Sequence, residues 1–244
     1  MKWFKAELHV HTVLSACADW EMTPKNIVRR AKEVGVEVLA ITDHNTAKNV
    51  GACIRAGQRE GILVIPGIEV QTKEEVHIIS LFPSGEMVLR FEEWLKEFIP
   101  NLKNNEEIFG VQVVVDEDDN VVEVDERLLQ ISANVSIEDV VQKSKELGGI
   151  AYPAHANREF CGIIPVLGFV PPEFPFKVIE ISPYCDVSLF LKEHPELNDY
   201  AIIISSDAHL LSSIGDGRTL VYLNDISSDE LIKAIQDKRR VKIW

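Results

Sequence analysis

Short runs of apolar residues recur along this chain, and each ends in acids or histidines. Val38-Leu39-Ala40-Ile41 runs into Thr42-Asp43-His44-Asn45, Leu63 to Ile68 ends in Glu69, and Val76 to Phe82 contains His77. Gly149 to Ala154 ends in His155, and Ala201 to Ser206 ends in Asp207-Ala208-His209. Continuous apolar runs of this length, bounded by turn residues, read as strands buried on both faces. Between them the apolar positions take helical spacing. Thr23-Pro24 opens a helix through Ile27, Val28, Ala31 and Val34 that stops at Gly35, with Thr23 as N-cap and Pro24 as first helical residue. Further helices are expected at 47–60 before Gly61, at 86–98, from the Ser136/Asp139 cap to Leu147, and from Ser228 to about Arg239.

Strands alternating with helices imply right-handed βαβ units and a mostly parallel sheet, and polar groups at several strand ends fit the active face of an α/β barrel. A doubly wound open sheet is the structural alternative, although neither a G-x-G-x-x-G nor a P-loop sequence is present. One stretch, 101–135, has no βα unit. Within it Val111 to Val115 and Val121 to Val124 flank Asp116-Glu117-Asp118-Asp119-Asn120, which predicts a β-hairpin with an acidic turn, a decoration beside a single domain spanning 1–244.

The N-terminal sequence Ala6-Glu7-Leu8-His9-Val10-His11-Thr12 adds the chemistry. Side chains at i and i+2 of an extended segment share a face, so His9 and His11 project together and can hold a divalent metal. Alone, the pair equally fits two surface histidines. Six of the seven histidines, however, lie in or just after apolar runs, and only His194 sits in a polar turn. Any one of them could be a satisfied core histidine. Six buried together call for a shared partner, because unpaired polar groups are costly to bury.

The H-x-H pair, Thr42-Asp43-His44-Asn45, Gly67-Ile68-Glu69-Val70, Pro153-Ala154-His155 and Ser206-Asp207-Ala208-His209 occur in an order that resembles the PHP (polymerase and histidinol phosphatase) superfamily. The resemblance spans His9 to His209. It implies a distorted (β/α)7 TIM-like barrel carrying two or three divalent ions (zinc, manganese or iron) at one mouth. The ligands it implies are His9, His11, Asp19, His44, Glu69, His77, His155, Asp207 and His209, with Glu69 bridging and Asp43 behind them as support. Relatives place an acid or histidine soon after H-x-H. Here that stretch is longer, and Asp19 is chosen over the softer Cys17.

The implied activity is metal-dependent hydrolysis of a phosphoric ester through a hydroxide bridging two metals, with Glu69, Asp207 and His209 at the reacting centre. Arg158 and then Lys48 are the candidate phosphate-binding cations, with Arg218 weaker. The expected substrate is a small phosphorylated metabolite or nucleotide. A 3'-5' exonuclease acting on nucleic-acid ends and a non-catalytic metal-binding regulatory module are the alternatives.

Composition adjusts this picture in three respects. The net charge of −14 argues against an extended nucleic-acid surface, which needs lysine and arginine to neutralise phosphates, but leaves room for a small phosphorylated substrate. Apolar residues make up 46% of the 244, enough for a sizeable core, and no run approaches a membrane span. The four cysteines are far apart with no C-x-x-C, so no disulfide framework is expected, and the absence of a leader-like start points to the cytoplasm.

Overall fold

The computed structural model describes residues 1–172 and 174–244. The described residues form eleven strands: β1 (Lys2–Glu7), β2 (Val38–Ile41), β3 (Leu63–Gln71), β4 (His77–Leu81), β5 (Val113–Val115), β6 (Val121–Val124), β7 (Ile150–Pro153), β8 (Val178–Ile181), β9 (Ala201–Ile204), β10 (Thr219–Leu223) and β11 (Val241–Ile243). The helices are α1 (Pro24–Glu33), α2 (Val50–Glu60), α3 (Gly85–Leu95), α4 (Glu106–Phe109), α5 (Ile137–Glu146), α6 (Ile163–Leu167), α7 (Val187–Glu193) and α8 (Ser228–Ile235).

A curled sheet runs β11-β10-β1-β2-β3-β4-β7, and β8 pairs separately with β9. Two links join the pieces. The amide of Ala156, just beyond β7, donates to the carbonyl of Glu180 in β8 at 2.7 Å. Beyond β9, Ala208 forms a parallel bridge with Val10, just beyond β1. Strands β1, β2, β3, β4, β7, β8 and β9 thereby close a circuit of seven, a distorted TIM-like barrel, with β10 and β11 added beside β1.

The sheet departs from the mostly parallel arrangement expected of a βα repeat. Only β1–β2 and β2–β3 are parallel in it, while β3–β4, β4–β7, β1–β10 and β10–β11 are antiparallel. For β4 the reason is chain length. Residues 72–76 alone join β3 to β4, too few for a crossover helix, so the two strands fold back as a hairpin.

Alternate strand residues divide the core. Phe4, Ala6, Leu8, Val38, Ala40, Ile65, Ile79, Tyr152, Val178 and Ile203 pack together with Leu231 and Ile235 of α8. The opposite faces, including Leu39, Ile41 and Ile68, pack against Ile27, Val28 and Ala31 of α1, Cys53 and Ala56 of α2, Phe91 of α3 and Val140 of α5. Strands buried on both sides are what the continuous apolar runs require.

The helix punctuation follows the sequence with small shifts. Thr23 occupies the N-cap of α1 in extended conformation, but its hydroxyl makes no capping hydrogen bond. Gly35 and Gly61 take φ of +74° and +75° where α1 and α2 end. The Ser136/Asp139 pair forms a full capping box. The predicted hairpin is present as β5 and β6, antiparallel. Among the described residues, no helix is long and apolar enough to cross a membrane.

Candidate metal centre

The centre is built on Glu69, late in β3 and 1% exposed. Five imidazoles surround its two oxygens. Oε1 lies 2.8 Å from His77 Nδ1, 3.2 Å from His155 Nε2 and 3.4 Å from His9 Nε2. Oε2 lies 2.9 Å from His44 Nδ1 and 3.3 Å from His11 Nε2. His9 and His11 stand beyond the end of β1 rather than within it. The Val10–Ala208 bridge and a 3.2 Å hydrogen bond from the Val10 amide to Thr42 Oγ1 keep this segment extended, so both rings still project to one side.

Asp207 closes the cluster from the β9 end. Its Oδ1 is 3.1 Å from the Nε2 atoms of both His9 and His11, which are themselves 3.1 Å apart. His209 donates through Nδ1 to the Asp207 carbonyl at 2.8 Å and stacks on His11 with ring centroids 4.2 Å apart. Candidate ligand atoms fall into overlapping groups, each within 4.8 Å: His9, His11, Glu69 and Asp207; His11, His44 and His209; His44, Glu69 and His77; and His77, His155 and Cys161.

Divalent cations suit this donor set. Glu69 Oε2 and Asp207 Oδ1 are buried, and no hydrogen bond satisfies either, although imidazole nitrogens crowd both. Buried polar atoms are ordinarily paired. Imidazole nitrogens gathered around carboxylate oxygens left unpaired in this way match the donors a metal takes from protein.

The electrostatics agree. Burial would push Glu69 up, but His77, His9, His44 and His11 outweigh it and hold the carboxyl well below its usual value. Burial would likewise lower His9, yet Asp207, Glu180 and Glu69 raise it well above 6.5. His11 rises to about 9 against its own burial through Asp207 and Glu69. His209 falls to about 3, through burial and then the His11 charge, and so stays neutral. The carboxylates concentrate negative potential where divalent ions would sit.

A supporting layer fixes the ligands. Asp43 accepts from the Thr12 amide, Thr12 Oγ1 and Ser15 Oγ, each at 2.7 Å, and Ser15 Oγ is 3.0 Å from His11 Nδ1. Glu180 holds His9 Nδ1 at 2.9 Å and accepts from the His155 amide at 3.0 Å with the same oxygen. His155 and Asp207 take φ of +27° and +52°, a region non-glycine residues occupy only under constraint. Glu7, fully buried, accepts from the amides of Ser206, Gly215 and Gly217 and so pins the loop that carries Asp207 and His209. Burial raises the Glu7 pKa to about 7.

The structure brings together eight of the nine ligands expected from sequence. Asp19 stands apart: it is exposed, and its Oδ1 accepts from the Glu21 amide at 2.8 Å as a turn residue. Cys17, its rival, is exposed in the same loop. Arg158 donates to Asp207 Oδ2 at 2.6 Å, at the cluster's edge. Lys48 instead pairs with Glu123 at 2.5 Å and Asp125 at 2.9 Å, fastening the hairpin to the α2 end. Arg218 donates to the Pro183 carbonyl.

Three contributors escaped the sequence reading. Glu180 was hidden because β8 was not recognised as a strand. Ser15 looked like a loop residue. Cys161 lies in the loop after β7, with Sγ 3.8 Å from His155 Nδ1.

Comparison with known proteins finds two family models and several relatives. The PHP domain model matches residues 7–118 and the PHP-associated model residues 196–239. An uncharacterized protein of Methanocaldococcus jannaschii is 28% identical over 165 residues, 64% of this chain and 70% of that one. The 5'-3' exoribonuclease Rnm of Salmonella typhimurium is 40% identical over 80 residues, 31% of this chain; the chain thus spans about a quarter (26%) of that enzyme. The lesion-specific endonuclease Q of Pyrococcus furiosus superposes with a TM-score of 0.71 at 19% identity, covering 99% of this chain and 58% of that one, a likeness of fold. Together, the barrel and the two matched models identify residues 7–118 as a PHP domain and residues 196–239 as a PHP-associated segment, from the family of metal-dependent hydrolases that the motifs resemble.

Proposed function

We propose that this chain hydrolyses phosphoric esters with two or three divalent ions (zinc, manganese or iron) held by His9, His11, His44, Glu69, His77, His155, Asp207 and His209. The observation that carries this reading is the set of five imidazoles around the two oxygens of one buried carboxylate, Glu69. Bound divalent ions would supply a nucleophile active near neutral pH and offset charge on the phosphate.

The chain's own residues supply position and selectivity. Glu69 and Asp207 bring the negative charge that draws cations. His209, its Nδ1 tied to the Asp207 carbonyl, keeps its ring stacked on His11. Arg158, oriented by Asp207 Oδ2 and 42% exposed along its side chain, can present its remaining N–H donors to a phosphate oxygen, the planar pairing that guanidinium makes well. Lys48 has no such role while Glu123 and Asp125 engage it.

The substrate we favour is a small phosphorylated metabolite or nucleotide, acted on in the cytoplasm by a chain that forms one barrel unit over 1–244. The acidic balance of −14 supports a compact substrate over an extended nucleic-acid track. A second reading, cleavage at the end of a short single-stranded nucleic acid, draws on the exoribonuclease among the relatives. Trp20, Phe160 and Tyr184 are 63%, 85% and 84% exposed on loops that follow β1, β7 and β8. Exposed aromatic rings on loops that leave these strand ends would suit base stacking.

The deciding experiment measures phosphate or nucleotide release from phosphomonoesters, mononucleotides and short single-stranded oligonucleotides. Protein stripped of metal is reloaded with manganese or zinc, and His9→Ala serves as control. Metal-dependent release confined to small substrates bears out the first reading, and release confined to oligonucleotides the second. No turnover of any substrate with ions bound would leave a metal-binding regulatory module.

A further inference from the structure

The loop after β7 places a sulfur where the metal centre would otherwise offer only nitrogen and oxygen. Cys161 Sγ lies 3.8 and 4.0 Å from the two ring nitrogens of His155, and it falls within 4.8 Å of candidate ligand atoms of His77 and His155. Both imidazoles also touch Glu69 Oε1, at 2.8 and 3.2 Å. The same two imidazoles therefore meet both a carboxylate oxygen and a thiol at one corner of the cluster.

The placement is built into the backbone. The His77 amide donates to the Cys161 carbonyl at 3.0 Å, which ties the loop to the first residue of β4. The loop turns tightly: the Arg158 amide donates to the His155 carbonyl, and the Gly162 amide to the Arg158 carbonyl at 2.9 Å. A Cβ on Gly162 would stand 2.6 Å from the Arg158 carbonyl oxygen and 2.8 Å from that of Ala156. Only glycine permits the turn that carries Cys161 back to the histidines.

We propose that Cys161 is the fourth protein ligand of the ion held by Glu69, His77 and His155, so that this ion is closed to substrate and selected for softness. The proposal rests on the reading of the cluster as a metal centre. Four protein donors complete a tetrahedral site, the form of ions that hold structure, whereas an ion in a reacting position keeps one place open. A thiolate favours zinc, cobalt or cadmium over magnesium or calcium. The ion fastens Glu69 to the loop that bears Arg158, and substrate engages the ions on the His11, His44 and His209 side.

Cobalt loading tests this directly, because a thiolate–cobalt bond gives a near-ultraviolet charge-transfer band whether or not the protein turns anything over. Metal-stripped protein, Cys161→Ser and Cys17→Ser are loaded with cobalt, and bound ions are counted. The wild type and Cys17→Ser should show the band, and Cys161→Ser should lose it. Cys161→Ser should also release one ion to a chelator at least ~10-fold faster, the lower end of what supporting groups alone cost a metal site. Inorganic phosphate should leave the band unmoved.

A band that persists in Cys161→Ser, or is missing from wild type with a full complement of ions, overturns the ligand assignment. A band that shifts with phosphate overturns the closure. Wild-type protein that binds no cobalt, zinc or manganese would overturn the metal-dependent function as well. The wild type alone gives a check that no variant's folding can confuse: bound zinc should protect Cys161 from alkylation, and alkylation at an unchanged rate counts against the proposal.

Discussion

The metal centre and the hairpin inserted at β5 and β6 both gather charge, and they do so in opposite ways. Around Glu69 the charges are buried and crowded, and Glu69 Oε2 and Asp207 Oδ1 have no hydrogen bond. On the hairpin the pairs are complete and mostly exposed: Arg55 meets Glu117 at 2.7 Å, Arg59 meets Asp118 at 2.7 Å, and Lys48 meets Glu123 and Asp125. Charges satisfied among themselves fasten a segment. Charges buried but unsatisfied are arranged for something that binds. The same contrast ranks the substitutions.

The largest effect belongs to Glu69→Gln. Five imidazoles lose their shared carboxylate, so ion binding should collapse and hydrolysis fall by more than the ~100-fold that loss of a supporting residue can cost. In metal-free protein the change should also lower the unfolding free energy by about 3–5 kcal/mol, as when one partner of a buried ion pair is removed. Metal titration and denaturant unfolding measure the two. Unchanged ion stoichiometry in Glu69→Gln would show that the carboxylate is not the hub.

Glu180→Gln comes next. One oxygen of Glu180 holds both His9 Nδ1 and the His155 amide. A glutamine can still accept from one of them but lacks the charge that keeps the His9 ring in place. Metal affinity should drop ~10–100-fold with the fold intact, the range for groups that orient metal-bound histidines. Calorimetric titration with zinc checks this, and affinity equal to wild type would remove Glu180 from the site's support.

Much of this was readable in the sequence. Buried strands announced themselves as continuous apolar runs, and the eight residues that cluster around Glu69 stood out because polar residues at the ends of such runs have little other reason to be there. Glu180 was not visible. Lys177-Val178-Ile179-Glu180-Ile181 is short, its acid interrupts the apolar pattern, and only the tertiary pairing of β8 with β9 shows that the carboxylate points inward. Asp19 failed for a different reason. The stretch from H-x-H to Asp19 is longer than in the relatives, and a loop's path is set by its own turns: Asp19 Oδ1 accepts from the Glu21 amide. Lys48 looked free to bind phosphate because its partners lie 75 and 77 residues away, in a hairpin whose docking the sequence does not encode locally. Cys161 was overlooked because spacing rules for cysteine look for pairs, whereas here the partners are histidines from β4 and the end of β7.

At the hairpin the expected effects are smaller, and pH separates them. Asp125 is 3% exposed. Burial would raise its pKa, but hydrogen bonds from Arg127 and Lys48 bring it down from 3.8 to about 2. A depressed pKa means the folded state favours the ionised form. The stabilisation is therefore fully present above the unfolded value and lost as pH falls through the folded one. Asp125→Asn should cost about 2 kcal/mol at pH 7, on the scale of 1.4 kcal/mol per unit, and the gap from wild type should close between about pH 4 and pH 2. A gap that stays constant over that range would mean packing, not charge, anchors the hairpin.

The smallest effect is expected for Arg59→Ala, although its pair with Asp118, at 2.7 Å, is short. Distance is a poor guide to worth when both groups stand in water. Arg59 and Asp118 side chains are 52% and 57% exposed, so their attraction is screened by solvent and salt and offset by the entropy of holding two mobile side chains still. Asp125 differs from Asp118 in burial, not in the chemistry of its carboxylate. Denaturant midpoints of Arg59→Ala and wild type should coincide at both low and high salt. A clear drop at low salt that disappears at high salt would show that the acidic turn is held by its surface pairs, and would weaken the contrast between buried and exposed charge from which the ranking of these substitutions follows.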